Sequence, residues 1–177
     1  DVSCFGASDG EITVNISGGN SPYSVSYDNG TTFPVSGNSP IIISGLSANS
    51  YDIQVMDSSG CISSVTTQIT INNPLAVSFV QSIVSNYNGS DISCFGASDG
   101  ALSITAAGGT GNYMYSNDGC GTYQTSNIFN GLPSGSYDLC VQDDNGCTLN
   151  ILSAITLNDP PELLISSLTI TSNYNGS

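Results

Sequence analysis

Residues 1–10 read DVSCFGASDG, and residues 91–100 read DISCFGASDG, with Val2 against Ile92 as their one difference. The likeness continues along the chain. GLSANSYDIQVMDSSGC, from Gly45 to Cys61, aligns without a gap on GLPSGSYDLCVQDDNGC, from Gly131 to Cys147, and SNYNGS occurs at 85–90 and again at 172–177. This repeat constrains the fold more than any other feature, because whatever one copy forms the other must form too. The unit is about 90 residues, longer than a solenoid repeat and close to one β-sandwich domain.

The frame of the repeat is offset from the frame of the fold. Ser85–Ser90 runs directly into Asp91, and residue 177 followed by residue 1 would recreate that junction. The chain therefore reads as one period of a longer tandem array. Proline removes a ladder donor and fixes an extended connection, so Pro74 and Pro160-Pro161 mark linkers. We expect residues 1–73 to be a sandwich lacking its first strand, 74–160 a complete one, and 161–177 the first strand of a following one. Either the chain is a window on a continuous array, or separate subunits lend that strand to a neighbour.

Alternation of period two predicts the strands. Ile12, Val14 and Ile16 point one way, as do Tyr23, Val25 and Tyr27, and Tyr51, Ile53 and Val55. A last, less regular strand carries Val65, Gln68, Ile69 and Ile71. The second copy repeats this with Leu102 and Ile104, Tyr113 and Tyr115, and Tyr137, Leu139 and Val141, while Val77, Phe79 and Ile83 precede SNYNGS. Gly18-Gly19, Asp28-Asn29-Gly30 and Asp57-Ser58-Ser59-Gly60 supply turns. No stretch keeps a helical period. The expected fold is all-β, with tandem immunoglobulin-like antiparallel β-sandwich domains. Tyr51 and Tyr137, in GL-x4-Y, are either tyrosines bonding back to the preceding loop, as in such sandwiches, or ordinary rim-facing core residues.

Composition removes whole classes of chemistry. The 177 residues contain no Lys, Arg or His, and fourteen Asp and Glu give a net charge of −14. Nucleic acid and anionic membrane surfaces repel such a chain. Ser-His-Asp, Cys-His and lysine catalysis are impossible, as are histidine-ligated metals. No apolar run reaches about eighteen residues, so no membrane insertion is expected. No basic region with an apolar core opens the sequence, so we expect no signal peptide within it.

Six cysteines without histidine read as disulfides and place the protein outside the reducing cytosol. Cys4 and Cys61 recur as Cys94 and Cys147, so repeat equivalence predicts Cys4–Cys61 and Cys94–Cys147 within the copies. Cys120 and Cys140 occur in the second copy alone, and Cys140 replaces Gln54 at an outward strand position. A third bridge, Cys120–Cys140, follows.

The remaining chemistry is carboxylate chemistry. Asp57, Asp143 and Asp144 could serve a glycosidase, but they lie in turns where Asp bonds its own backbone, and we expect no enzyme. Calcium is the conceivable cofactor, with Asp57, Asp143, Asp144, Asp9 and Asp99 as hard oxygen ligands, although none follows the EF-hand spacing. Sequons at Asn15, Asn29, Asn88 and Asn175 mark candidate sites of sugar attachment.

The combination CFGASDG, an alternating strand, Gly-Gly, a Pro-Tyr or Asn-Tyr strand, GL-x4-Y-D-[IL] and D-x-x-GC resembles the SprB-type repeat of large surface adhesins in gliding Bacteroidetes. The resemblance spans nearly the whole chain, twice. It implies tandem immunoglobulin-like domains, secretion and an extracellular or cell-surface place, and it brings no catalytic residues. We expect a structural protein whose sandwiches join end to end in a filament or stalk, with further copies of the repeat as partners. The alternative is an adhesive module for glycans or surfaces.

Overall fold

The computed structural model describes residues 1–63, 67–150 and 154–170. Among these residues the secondary structure is strand, and no helix is long and apolar enough to cross a membrane. The sheets are antiparallel, as the alternation predicts. Val65, expected on a strand, lies outside the described residues.

The chain divides into two compact units. The first holds Asp1–Phe79, Ala106–Met114 and Val141–Leu149; the second holds Val80–Thr105, Tyr115–Cys140 and Asn150–Ser177.

In the first unit, β1 (Gly10–Val14) pairs with β4 (Ile41–Leu46). A second sheet orders β3 (Val35–Gly37), β2 (Tyr23–Ser26), β5 (Asn49–Met56) and β6 (Thr67–Ile71) side by side. Alternate residues of both sheets close on one core: Ile12, Ile41, Ile43 and Leu46 from one, and Val25, Ile53 and Ile71 from the other, with Val2 against them. Burial of such side chains is worth about 1.5–3 kcal/mol each before the entropy of ordering is subtracted.

The second copy builds the same pieces. β8 (Gly100–Ala107) is the counterpart of β1, and it lies between β10 (Ile128–Leu132) and β7 (Ser78–Ile83). β11 (Gly135–Tyr137) pairs with β14 (Ile155–Leu157), and β12 (Cys140–Asp143) lies between β9 (Tyr113–Ser116) and β13 (Thr148–Asn150). In the second unit Ile92, Leu102, Ile104, Leu139 and Leu157 are fully buried. The register repeats as well: Ser50 faces Thr70 as Ser136 faces Thr156, and each hydroxyl pair sits 3.0 Å apart.

The copies differ at one edge of this sheet. Among the described residues β1 pairs with β4 alone, whereas β8 pairs on both edges. The free edge of β1 is where β7 would lie in a second-copy arrangement.

Two details of the repeat motif acquire causes. Gly10 has no room for a side chain: an added Cβ would meet the Leu46 carbonyl oxygen at 2.8 Å and Ile71 at 3.0 Å. At Gly100 it would meet Ile92 and Leu157 at 2.7 Å. The glycine ending SDG is thus a packing requirement of the core. The tyrosines bond back to the preceding loop, Tyr51 Oη donating to Ser47 O at 2.8 Å and Tyr137 Oη to Pro133 O at 2.7 Å.

Candidate functional site at the cysteine loops

Each copy has two cysteine-bearing loops at equivalent positions, and each of these is organised by one aspartate. In CFGASDG, Asp9 accepts from Ser3 N at 2.9 Å and Asp99 from Ser93 N at 3.0 Å. Cys4 O and Cys94 O accept from Ala7 N and Ala97 N, each at 3.0 Å. Gly6 N donates to Asn73 Oδ1, and Gly96 N to Asp159 Oδ1. In the D-x-x-GC turn, Asp57 Oδ1 accepts from Ser59 N and Cys61 N at 2.9 Å, while Oδ2 accepts from Asn20 N. Asp143 Oδ1 accepts from Asn145 N and Cys147 N at 3.0 and 2.9 Å, and Oδ2 from Thr110 N.

The disulfides depart from the expected pairing in part. Cys120–Cys140 forms as expected, with Cα atoms 5.3 Å apart. Cys4 bonds Cys147, at a Cα separation of 5.7 Å, and not Cys61; Cys61 and Cys94 are exposed free thiols. The cause is strand geometry. β5 begins beside the Ile71 end of β6, near the Cys4 loop, and eight residues later leads into the Cys61 turn. Eight strand residues span roughly 25 Å, whereas a disulfide needs Cα atoms about 4–7 Å apart. The two cysteines of one copy sit at opposite ends of its strands, so a Cys4-type loop meets the turn of a different copy. Cys147, from the second copy in sequence, falls within the first spatial unit. Beside this bond Asn145 Nδ2 donates to Ser3 O at 3.0 Å, and Phe5, Pro74, Leu75 and Gly146 line an apolar cleft with the two cysteines. Cys140, expected to face outward, is fully buried.

The candidate metal ligands do not converge. Asp57 and Asp143 engage both oxygens with backbone N–H groups, Asp9 and Asp99 engage Oδ1, and Asp144 Oδ2 accepts from Asn112 N and Nδ2. Among the described residues no three acidic, cysteine or histidine side chains gather at metal-binding distance. Hydrogen bonds, from Cys61 first for Asp57, Ser3 for Asp9 and Ser93 for Asp99, hold these carboxyls below the usual range. Asn15, Asn29 and Asn88 are exposed, the last two at positive φ of 59° and 54°. Asn175 lies outside the described residues.

Sequence reasoning missed a second organising aspartate. Buried Ser26 donates to Asp28 Oδ1 at 2.7 Å, and Asp28 also accepts from Thr32 N at 2.9 Å and Thr32 Oγ1 at 2.7 Å. Ser116, Asp118 and Thr122 repeat the network at 2.6, 2.9 and 2.7 Å. The shared spacing S-x-D-x-x-x-T was its visible signal. Ser26 and then Thr32 hold Asp28 down at about 2 from 3.8, and Ser116 and Thr122 press Asp118 lower still.

A folded pKa below the unfolded value means that the unfolded chain binds more protons through the interval between them. The stabilisation is complete above 3.8 and is lost as pH falls through the folded value, about 2 for Asp28. We therefore expect the melting temperature to hold level down to about pH 5 and to drop steadily from about pH 4 to about pH 2. In the double variant Asp28→Asn/Asp118→Asn that drop should be shallower. An identical acid profile in parent and variant, followed by circular dichroism, would count against these networks as its source.

The SprB repeat model matches residues 1–32 and 86–119, each stretch running from a Cys4-type loop to the Asp28-type turn. Among solved structures, the chain is similar to the C-terminal 282-residue fragment of intimin, solved in complex with the intimin-binding domain of the translocated intimin receptor. The identity is 13% and the TM-score 0.39, over 85% of this chain and 57% of that one. No curated protein matches the chain.

Proposed function

We propose, from the premise that this chain carries two SprB repeat segments, that it is a structural extracellular protein whose β-sandwich repeats join end to end in a filament or cell-surface stalk. The observation that carries the reading is the Cys4–Cys147 bond, which ties the opening loop of one sequence copy to the closing turn of the other. A disulfide of this kind persists in an oxidising compartment, which supports an extracellular or cell-surface location. A chain whose charged side chains are all acidic, with a net charge of −14, suits a nucleic-acid-free setting. The role assigns the chain no catalysis, and its partners are further copies of the repeat.

Electron microscopy of native material tests this directly. Uniform rods with a regular axial repeat are expected; isolated particles the size of a single chain would overturn the reading. Specific binding of the intact chain on a glycan array, without rods, would move it to an adhesive module.

A further inference from the structure

We infer that successive copies of this 177-residue unit join through a disulfide between Cys94 of one and Cys61 of the next, at a joint equivalent to the Cys4–Cys147 joint, with residues 162–170 of the first added as a strand to the free edge of β1 in the next. This rests on the end-to-end reading above and supplies its chemistry.

The first support is equivalence within one molecule. Cys94 occupies the place of Cys4, and Cys61 that of Cys147, in loops with the same hydrogen bonds. One pair is bonded; the other two thiols are exposed. The bonded pair shows that a Cys4-type loop and a Cys61-type turn from different copies fit at bonding distance.

The second support is independent of sulfur. Leu163, Leu164, Ile165, Leu168 and Ile170 are 71–97% exposed, an apolar stretch without cover. Aligning SNYNGS at 85–90 with 172–177 places Phe79, Gln81 and Ile83 of β7 opposite Ser166, Leu168 and Ile170. Phe79 is buried in β7, and Gln81 and Ile83 are half-buried, while Val80 and Val84 face outward. Leu168 and Ile170 thus match the inward face of a strand that pairs with β8. β1, the counterpart of β8, has that edge unpaired among the described residues. Beside it Ile12, Val14, Ile53, Val55 and Ile69 line a groove in the first unit. An unpaired strand edge is a template for another strand, and an apolar strand is the matching occupant.

The bond forms by thiol–disulfide exchange with a small disulfide such as oxidised glutathione. The Cys94 thiolate attacks one glutathione sulfur and releases a glutathione thiolate. The Cys61 thiolate of the second copy then attacks the Cys94 sulfur of the mixed disulfide, releasing the second glutathione. Two protein thiols lose two electrons and two protons, and one glutathione disulfide becomes two glutathione thiols.

The test uses the intact chain in a glutathione redox buffer, read by non-reducing electrophoresis and peptide mapping. The parent should give a reducible ladder with a Cys61–Cys94 peptide. Cys61→Ser alone and Cys94→Ser alone should remain monomeric, and an equal mixture of the two should give one covalent dimer. Leu168→Asp/Ile170→Asp should slow ladder formation by about tenfold or more, because the docked strand raises the local thiol concentration. Dimers of Cys61→Ser alone, through Cys94–Cys94, would overturn the inference, as would a Cys61–Cys94 pair within one chain. Rods persisting with both thiols free would also overturn it while leaving the filament reading in place. Covalent dimers that never extend to rods would uphold the joint and remove the filament.

Discussion

Replacing Cys4 and Cys147 together by serine is expected to lower stability toward urea by about 5 kcal/mol, because the bond closes a long loop and so removes entropy from the unfolded chain. The two residues are 143 apart in sequence, which puts this crosslink near the upper end of the loop-entropy scale. The double replacement is chosen so that no orphan thiol remains to exchange with Cys61 or Cys94. In the folded chain little else should change locally: Asp143 still caps its turn through Asn145 N and the backbone N–H at position 147, and Asp9 still holds Ser3 N. The loss should therefore appear as a shifted midpoint with a similar slope. A loss below about 1 kcal/mol would mean that the tied segments unfold in separate steps, so that the crosslink never opposes a single transition.

Leu102→Ala should cost about 3–4 kcal/mol, the range for removing a buried leucine from a site that collapses only in part. Leu102 is fully buried on β8, a central strand flanked by β7 and β10, and it faces Phe129 in the antiparallel register. Leu168→Ala is the control. Leu168 is 87% exposed, so its truncation in the isolated chain should change stability by less than about 0.5 kcal/mol. Urea denaturation of both variants at one pH checks the contrast. Equal costs at the two positions would contradict the burial pattern on which the two-copy fold stands.

The fold was legible where alternation was clean. Ile12, Val25, Ile53, Leu102 and Ile104 were each placed on one face of a strand by alternation, and each is buried. β4 escaped because its three consecutive isoleucines, Ile41 to Ile43, show no alternation to read, and β3 and β13 because three residues hold too little pattern. The cysteines show a different limit. A repeat identifies which residues are equivalent, but equivalence leaves open whether a bond forms within a copy or across copies. That choice depends on which end of the strands each loop occupies, a property of topology rather than spacing. Cys120–Cys140 was readable because neither residue has a counterpart. Asp28 was read as an ordinary turn residue; the buried Ser26 that makes it an organising centre, like Ser116 beside Asp118, sits on a strand whose alternation was read from its tyrosines.

The crosslink between Cys4 and Cys147 also governs what the chain does under tension. A pull applied before residue 4 and after residue 147 passes through one sulfur–sulfur bond and bypasses the 143 residues between them. At about 3.4 Å per extended residue, roughly 480 Å of contour length stays locked while that bond is intact. Load is then carried covalently past the sheets instead of through their hydrogen bonds. A moderate shear would leave the strands folded, and a reducing environment would turn the same molecule from nearly inextensible into a long, compliant tether.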